Sequence, residues 1–165
     1  MSKNIKKVMA FGTFDILHLG HVKLLTNAKK IGGENAKLIV IIARDENVLK
    51  EKHRKPIFPE NQRLEMIKAL KVVDEAYLGE LGDDKFLIIE KIKPDIIVLG
   101  YDQNVDEKTM AEELKKRGLS VEIKRLEKYG NDSFNSSSKI IKMVIEKYNE
   151  NNENNRNRSE NKENE

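Results

Sequence analysis

Leu38-Ile39-Val40-Ile41-Ile42-Ala43 is an unbroken apolar run, most of it β-branched. A strand with that composition has no polar face to give to water. It must be covered on both sides, which is the condition of a strand inside a parallel sheet. Val8-Met9-Ala10-Phe11 reads the same way, and so does Asp95-Ile96-Ile97-Val98-Leu99-Gly100, which Pro94 introduces. Glu75-Ala76-Tyr77-Leu78 is a weaker strand, and Leu119-Ser120-Val121-Glu122-Ile123 an alternating one. Helical spacing fills the gaps. Val22, Leu25, Ala28 and Ile31 recur before a stop at Gly32-Gly33, and Pro59 opens a segment carrying Leu64, Ile67, Ala69 and Leu70. Phe86 to Ile92, Met110 with Leu114, and Ile140 to Ile145 complete the set. Strand and helix alternate five times. Right-handed crossovers then predict one Rossmann-like, doubly wound α/β domain, a five-stranded parallel sheet with helices on both faces. Ligands of such sheets sit at the carboxyl ends of the strands.

The end of the chain departs from this pattern. From Asn149 it reads NENNENNRNRSENKENE, with no aliphatic or aromatic side chain. Too little apolar surface is available there to offset chain entropy. The expectation is a domain over residues 1–148 and a disordered Asn/Glu-rich tail over 149–165. The tail holds five Glu against two Arg and one Lys, so the net charge of +3 for the chain conceals a more basic domain. The chain has no Cys, which excludes a disulfide scaffold, an iron–sulfur centre, a Cys-ligated zinc and a thiol nucleophile. No apolar run approaches the ~18–20 residues of a membrane span, and the basic N-terminus leads into a strand rather than a signal core. The expected location is the cytoplasm, with no membrane partner.

The loop after the first strand carries the chemistry. It reads Gly12-Thr13-Phe14-Asp15-Ile16-Leu17-His18-Leu19-Gly20-His21 and opens a helix. Gly12 allows a sharp turn at the strand end. Gly20 lets a phosphate approach the backbone, and the helix start offers unpaired N–H groups and a positive dipole end. His18 and His21 are three apart, so both rings fall on one side of that turn. They can clamp a phosphate by donating hydrogen bonds. A metal pair is the rival reading, but no third ligand accompanies it. Lys50, Lys52, His53, Arg54 and Lys55 make a basic loop after the second strand, and Arg63 follows in the next helix. A triphosphate needs several such cations. Without interleaved aromatics, the cluster does not read as a nucleic-acid surface. Asp102, after Gly100, can hold a ribose hydroxyl or help organise Mg²⁺. Ser136, Ser137 and Ser138 precede the last helix and suit a second anion site.

GTFDILHLGH resembles the signature of the cytidylyltransferase-like nucleotidyltransferases, with the H-x-G-H element intact at His18 to His21. Over about residues 5–148 the chain most resembles the archaeal-type FAD synthases of that group, through A-F-G-T-F-D-I-L-H-L-G-H, L-G-Y-D-Q and S-S-S-K-I-I. The resemblance implies transfer of AMP from ATP to the phosphate of FMN, with ATP as substrate, Mg²⁺ or another divalent cation held mainly by the phosphates, and a homodimer. It implies catalysis by His18, His21, Lys52 and Arg63. Nucleotide binding falls to Gly12, Thr13, Phe14, Asp15, His18, Gly20, His21, Gly100, Asp102, Asn131, Ser136, Ser137 and Ser138. Asn131 stands where the related glycerol-3-phosphate cytidylyltransferases have Arg, so the Arg is absent or a cation such as Lys128 substitutes. A CTP-dependent enzyme acting on glycerol 3-phosphate or a similar phosphate is the alternative reading, and a non-catalytic nucleotide-binding module a second one. Aromatics make up only 5%. Phe58, Tyr101 and Phe134 are the loop residues expected to offer ring faces to a flavin.

Overall fold

The computed structural model describes residues 5–82, 84–128 and 136–163, with side chains of the last helix described up to residue 152. Asn131 and Phe134, both singled out above, lie outside the described residues.

The strands are β1 (Lys7–Gly12), β2 (Lys37–Ile42), β3 (Glu75–Leu78), β4 (Ile96–Leu99) and β5 (Glu122–Arg125). They form one parallel sheet in the order β3-β2-β1-β4-β5. The three strands nearest the centre are the continuously apolar ones. Val8, Met9 and Ala10 of β1, most of β2 and all of β4 are buried. β1 pairs with both β2 and β4, so the winding reverses there and the loop after β1 opens at the switch point.

The helices are α1 (Leu19–Gly32), α2 (Asp45–Lys52), α3 (Glu60–Lys68), α4 (Leu87–Ile92), α5 (Glu107–Lys116) and α6 (Ser137–Glu163). Strand side chains alternate in direction. Val8, Ala10, Leu38, Val40 and Ile42 pack against Leu25 and Ala28 of α1 and Ile67 of α3. Met9, Ile39, Ile41, Ile97 and Leu99 pack against Ile89 of α4 and Met110 and Leu114 of α5. The expected doubly wound fold is therefore the fold observed.

Two details differ from the sequence reading. Asp45–Lys52 is a helix, so Lys50 and Lys52 stand on α2, while His53 as its C-cap, Arg54 and Lys55 lie beyond it. β5 covers Glu122–Arg125 rather than Leu119–Ile123. It is an edge strand with alternating exposure, where burial pins the boundary weakly. α6 runs to Glu163. No Gly or Pro interrupts the chain after Gly130, and extending a formed helix costs far less than nucleating one.

Candidate active site

The loop from Gly12 to His18 is built under tension. Phe14 and Ile16 both hold left-handed backbone, at φ 52° and 51°. That conformation is costly for any side chain and most of all for a β-branched one. Phe14 is thereby driven inward to 3% exposure. A Cβ on Gly12 would lie 2.7 Å from the Phe14 ring. Gly12 thus serves close packing rather than the sharp turn inferred from sequence.

Arg63 holds this loop from beneath. Its side chain is fully buried. Nε donates to the Phe58 carbonyl and one terminal nitrogen to the Thr13 carbonyl; the other donates to the Ala43 carbonyl and the Asp45 carboxylate. The expectation that Arg63 meets phosphates is corrected here. α3 turns it into the protein, and the fork is committed to acceptors on three chain segments. Asp15 is likewise a brace, its carboxylate accepting the amides of Ile57 at 2.8 Å and Phe58 at 3.0 Å.

His18 caps α1 and accepts the amides of His21 and Val22 on its carbonyl. The two imidazoles stack, with centroids 3.8 Å apart and 20° between planes. Phe14 stands edge-on to His21 at 5.3 Å. Burial, then the neighbouring His18 and Lys52, lower the His21 pKa to about 3. Burial also lowers that of His18, opposed by the Asp102 carboxylate. Both rings are neutral at pH 7. Each Nδ1 is buried and makes no hydrogen bond within the described chain.

A cleft of about 980 Å³ opens over these rings at the carboxyl edge of the sheet. Its lining includes Gly12, Thr13, Phe14, Asp15, His18, Gly20, His21, Lys52, Gly100, Asp102 and Ser136 to Ser138. Apart from Arg63, and from Asn131 outside the described residues, the expected site residues are thus brought together. Lys52 Nζ donates to Thr13 Oγ1 at 3.0 Å. Ser137 Oγ donates to the Asp15 carbonyl at 2.5 Å, tying α6 to the loop. Of the flavin candidates, Tyr101 is on the lining, while Phe58 is not.

Sequence reasoning missed three residues. Arg44 lines the cleft with Arg54 and pairs with Glu60 at 3.0 Å. Its place just beyond β2 is the signal that would have found it. Arg125 lies outside the lining but gathers the carbonyls of Gly100, Gln103 and Val105 around its guanidinium, which shapes the loop that carries Asp102. Phe86 lines the cleft from the start of α4. Among the described residues no three His, Asp or Glu side chains gather to hold a metal ion, and no helix is long and apolar enough to cross a membrane.

The arrangement has known counterparts. The chain is 54% identical to an FAD synthase of Methanothermus fervidus over 136 residues, covering 82% of this chain and 92% of that one. It is 53% identical to an FAD synthase of Methanobrevibacter smithii over 140 residues, covering 85% and 91%. A solved structure titled a lipopolysaccharide core biosynthesis protein, from Thermoplasma volcanium, superposes with a TM-score of 0.72 at 46% identity, covering 77% of this chain and all of that one. The cytidylyltransferase-like family model matches residues 9–143, which take in the stacked histidines, the brace beneath them and the sheet that carries both. The chain belongs to the cytidylyltransferase-like family.

Proposed function

We propose that this protein is an FMN adenylyltransferase, moving AMP from ATP to the phosphate of FMN and releasing pyrophosphate. The observation that carries the reading is the neutral His18–His21 stack at the start of α1, open to a cleft with Lys52, Arg44 and Arg54 on its lining. The FAD synthases matched at about half identity support ATP and FMN as the pair of substrates.

In this reaction an oxygen of the FMN phosphate attacks the α-phosphorus, and the bond from that phosphorus to the bridging oxygen breaks. The attacking oxygen is already anionic, so no strong base is required. Catalysis rests on placement and on charge stabilisation. The first turn of α1 has amides without an intrahelical partner and points its positive end at the α-phosphate. Each neutral imidazole has one N–H to give to phosphate oxygens. Lys52, fixed by Thr13, meets charge building on the leaving pyrophosphate. The hydroxyls of Ser136 and Ser138 take the outer phosphates, and Asp102 takes a ribose hydroxyl. Arg63 acts through the backbone of Thr13.

The proposal includes a divalent cation that arrives with the triphosphate, carried by its oxygens. Such a cation would neutralise charge on the phosphates. The homodimer implied by the family resemblance is retained as well, and light scattering on the eluted protein tests it. The test of the main reading crosses ATP and CTP with FMN and glycerol 3-phosphate and follows pyrophosphate and FAD. FAD formed from ATP and FMN is the expected result. Product from CTP and glycerol 3-phosphate alone would reject it.

A further inference from the structure

Phe11 and Ile41 are register partners on β1 and β2, and both lie on the sheet face covered by α4 and α5. They are the last residues of that face before the strands end. Above them the cleft continues past the phosphate loop into a space bounded by Phe86 and Ile88 of the α4 start and by Val105 and Met110 at α5. Part of the lining is therefore an apolar group drawn from one packed cluster, separate from the histidines, cations and serines.

We infer that this apolar part of the cleft is the seat of the isoalloxazine ring of FMN, with Phe86 as the residue that selects for it. The inference rests on the adenylyltransferase reading above. A cleft of about 980 Å³ is at the upper end of the ~300–1,000 Å³ that one ligand occupies. It offers two ring systems two different seats. The loop Gly100 to Asp102 presents a close-packed backbone and a carboxylate, suited to a nucleoside edge. The space over Phe11 and Ile41 presents an apolar floor with Thr109 and Asp106 at its border. Isoalloxazine has a dimethylbenzene edge that needs burial and a pyrimidine edge that needs polar partners, and this seat supplies both.

Phe86 is held for the task. The Arg117 guanidinium lies 5.0 Å from its ring centroid. Arg117 is fixed in turn by Asp84, Glu90 and Glu113, each at 2.9 Å. A cation on one side of an aromatic ring anchors it and leaves the cleft side for the ligand. A preset ring costs a ligand little ordering on binding. A small acceptor such as glycerol 3-phosphate has nothing to place there.

The experiment titrates FMN into wild type and the variants Phe86→Leu and Phe86→Tyr, following flavin fluorescence, and measures KM for FMN and for ATP in each. Melting curves confirm folding. Wild type quenches the flavin on binding. Phe86→Leu is expected to weaken FMN binding and raise its KM about tenfold, with KM for ATP within twofold of wild type, and Phe86→Tyr to restore both. Unchanged FMN binding in Phe86→Leu, or a change confined to ATP, overturns the seat while the adenylyltransferase reading stands. Wild type that neither binds FMN nor forms FAD overturns both.

Discussion

The guanidinium of Arg63 donates to the backbone carbonyl of Thr13, fifty residues earlier in the chain. It reaches Ala43, Asp45 and Phe58 at the same time. One buried side chain thus fixes the loop that precedes the histidines, the end of β2 and the approach to α3.

Arg63→Ala should destabilise the fold. It takes the guanidinium donor from three part-buried carbonyls and the ion pair from Asp45, a loss of about 3 kcal/mol, or roughly 10 °C in Tm. Arg63→Lys should recover little, because one ammonium cannot span acceptors on three segments. Thermal melts check both. A variant that melts like wild type but has lost turnover would place Arg63 at the phosphates after all.

His21 carries a pH signature. Its pKa is about 3 when folded and near 6.5 when unfolded. Between those values the unfolded chain binds more protons, so this contribution to stability is complete above pH 6.5 and declines as pH falls toward 3. His21→Gln removes it. The drop in Tm between pH 7 and pH 4.5 should be smaller in the variant than in wild type. Equal drops would contradict the buried neutral ring. Turnover in His21→Gln should fall by at least about 100-fold, as when one preorganised donor is lost.

Lys52 and Lys55 are separated by the structure, though in sequence either could serve. Lys52 lines the cleft and reaches Thr13, and Lys55 does not line it. Lys52→Met should lower kcat by about 100-fold with little change in Tm, and Lys55→Met should leave kcat within about twofold. Steady-state kinetics on the two variants decides, and a reversed order would move the pyrophosphate contact to the far end of the loop.

Arg125 should act on affinity. It bridges the carbonyls of Gly100, Gln103 and Val105 and pairs with Glu107 at 2.7 Å. Arg125→Gln should loosen the loop bearing Asp102 and raise KM for ATP about tenfold, with a smaller effect on kcat and on KM for FMN. A uniform loss in all three constants would indicate only a general weakening of the fold.

Thr13, His18, Gly20 and His21 were legible in the sequence because their chemistry is local: a strand, a turn and one helical turn bring them together without help from elsewhere. Ser137 was expected as an anion site, but its hydroxyl meets the Asp15 carbonyl, a partner 122 positions away that no local pattern shows. Arg44, Phe86 and Arg125 were not legible, because their relation to the site follows from strand order and register. Phe86 matters because α4 lies over β1 and β2, and Arg125 because β5 pairs beside β4. α2 was hidden by its composition, with Val48 as its one buried residue. Arg63 misled for a different reason: a cation in a motif reads as a phosphate ligand until the helix face it occupies is known.

The bond from Ser137 to the Asp15 carbonyl joins residues 122 positions apart. The first β-α unit leaves the ribosome well before α6 does. A nascent chain halted before Ser136 holds all five strands and both histidines but lacks the hydroxyls at the helix start. A product terminated before Ser136 would carry the family signature without the bond that ties α6 to the phosphate loop.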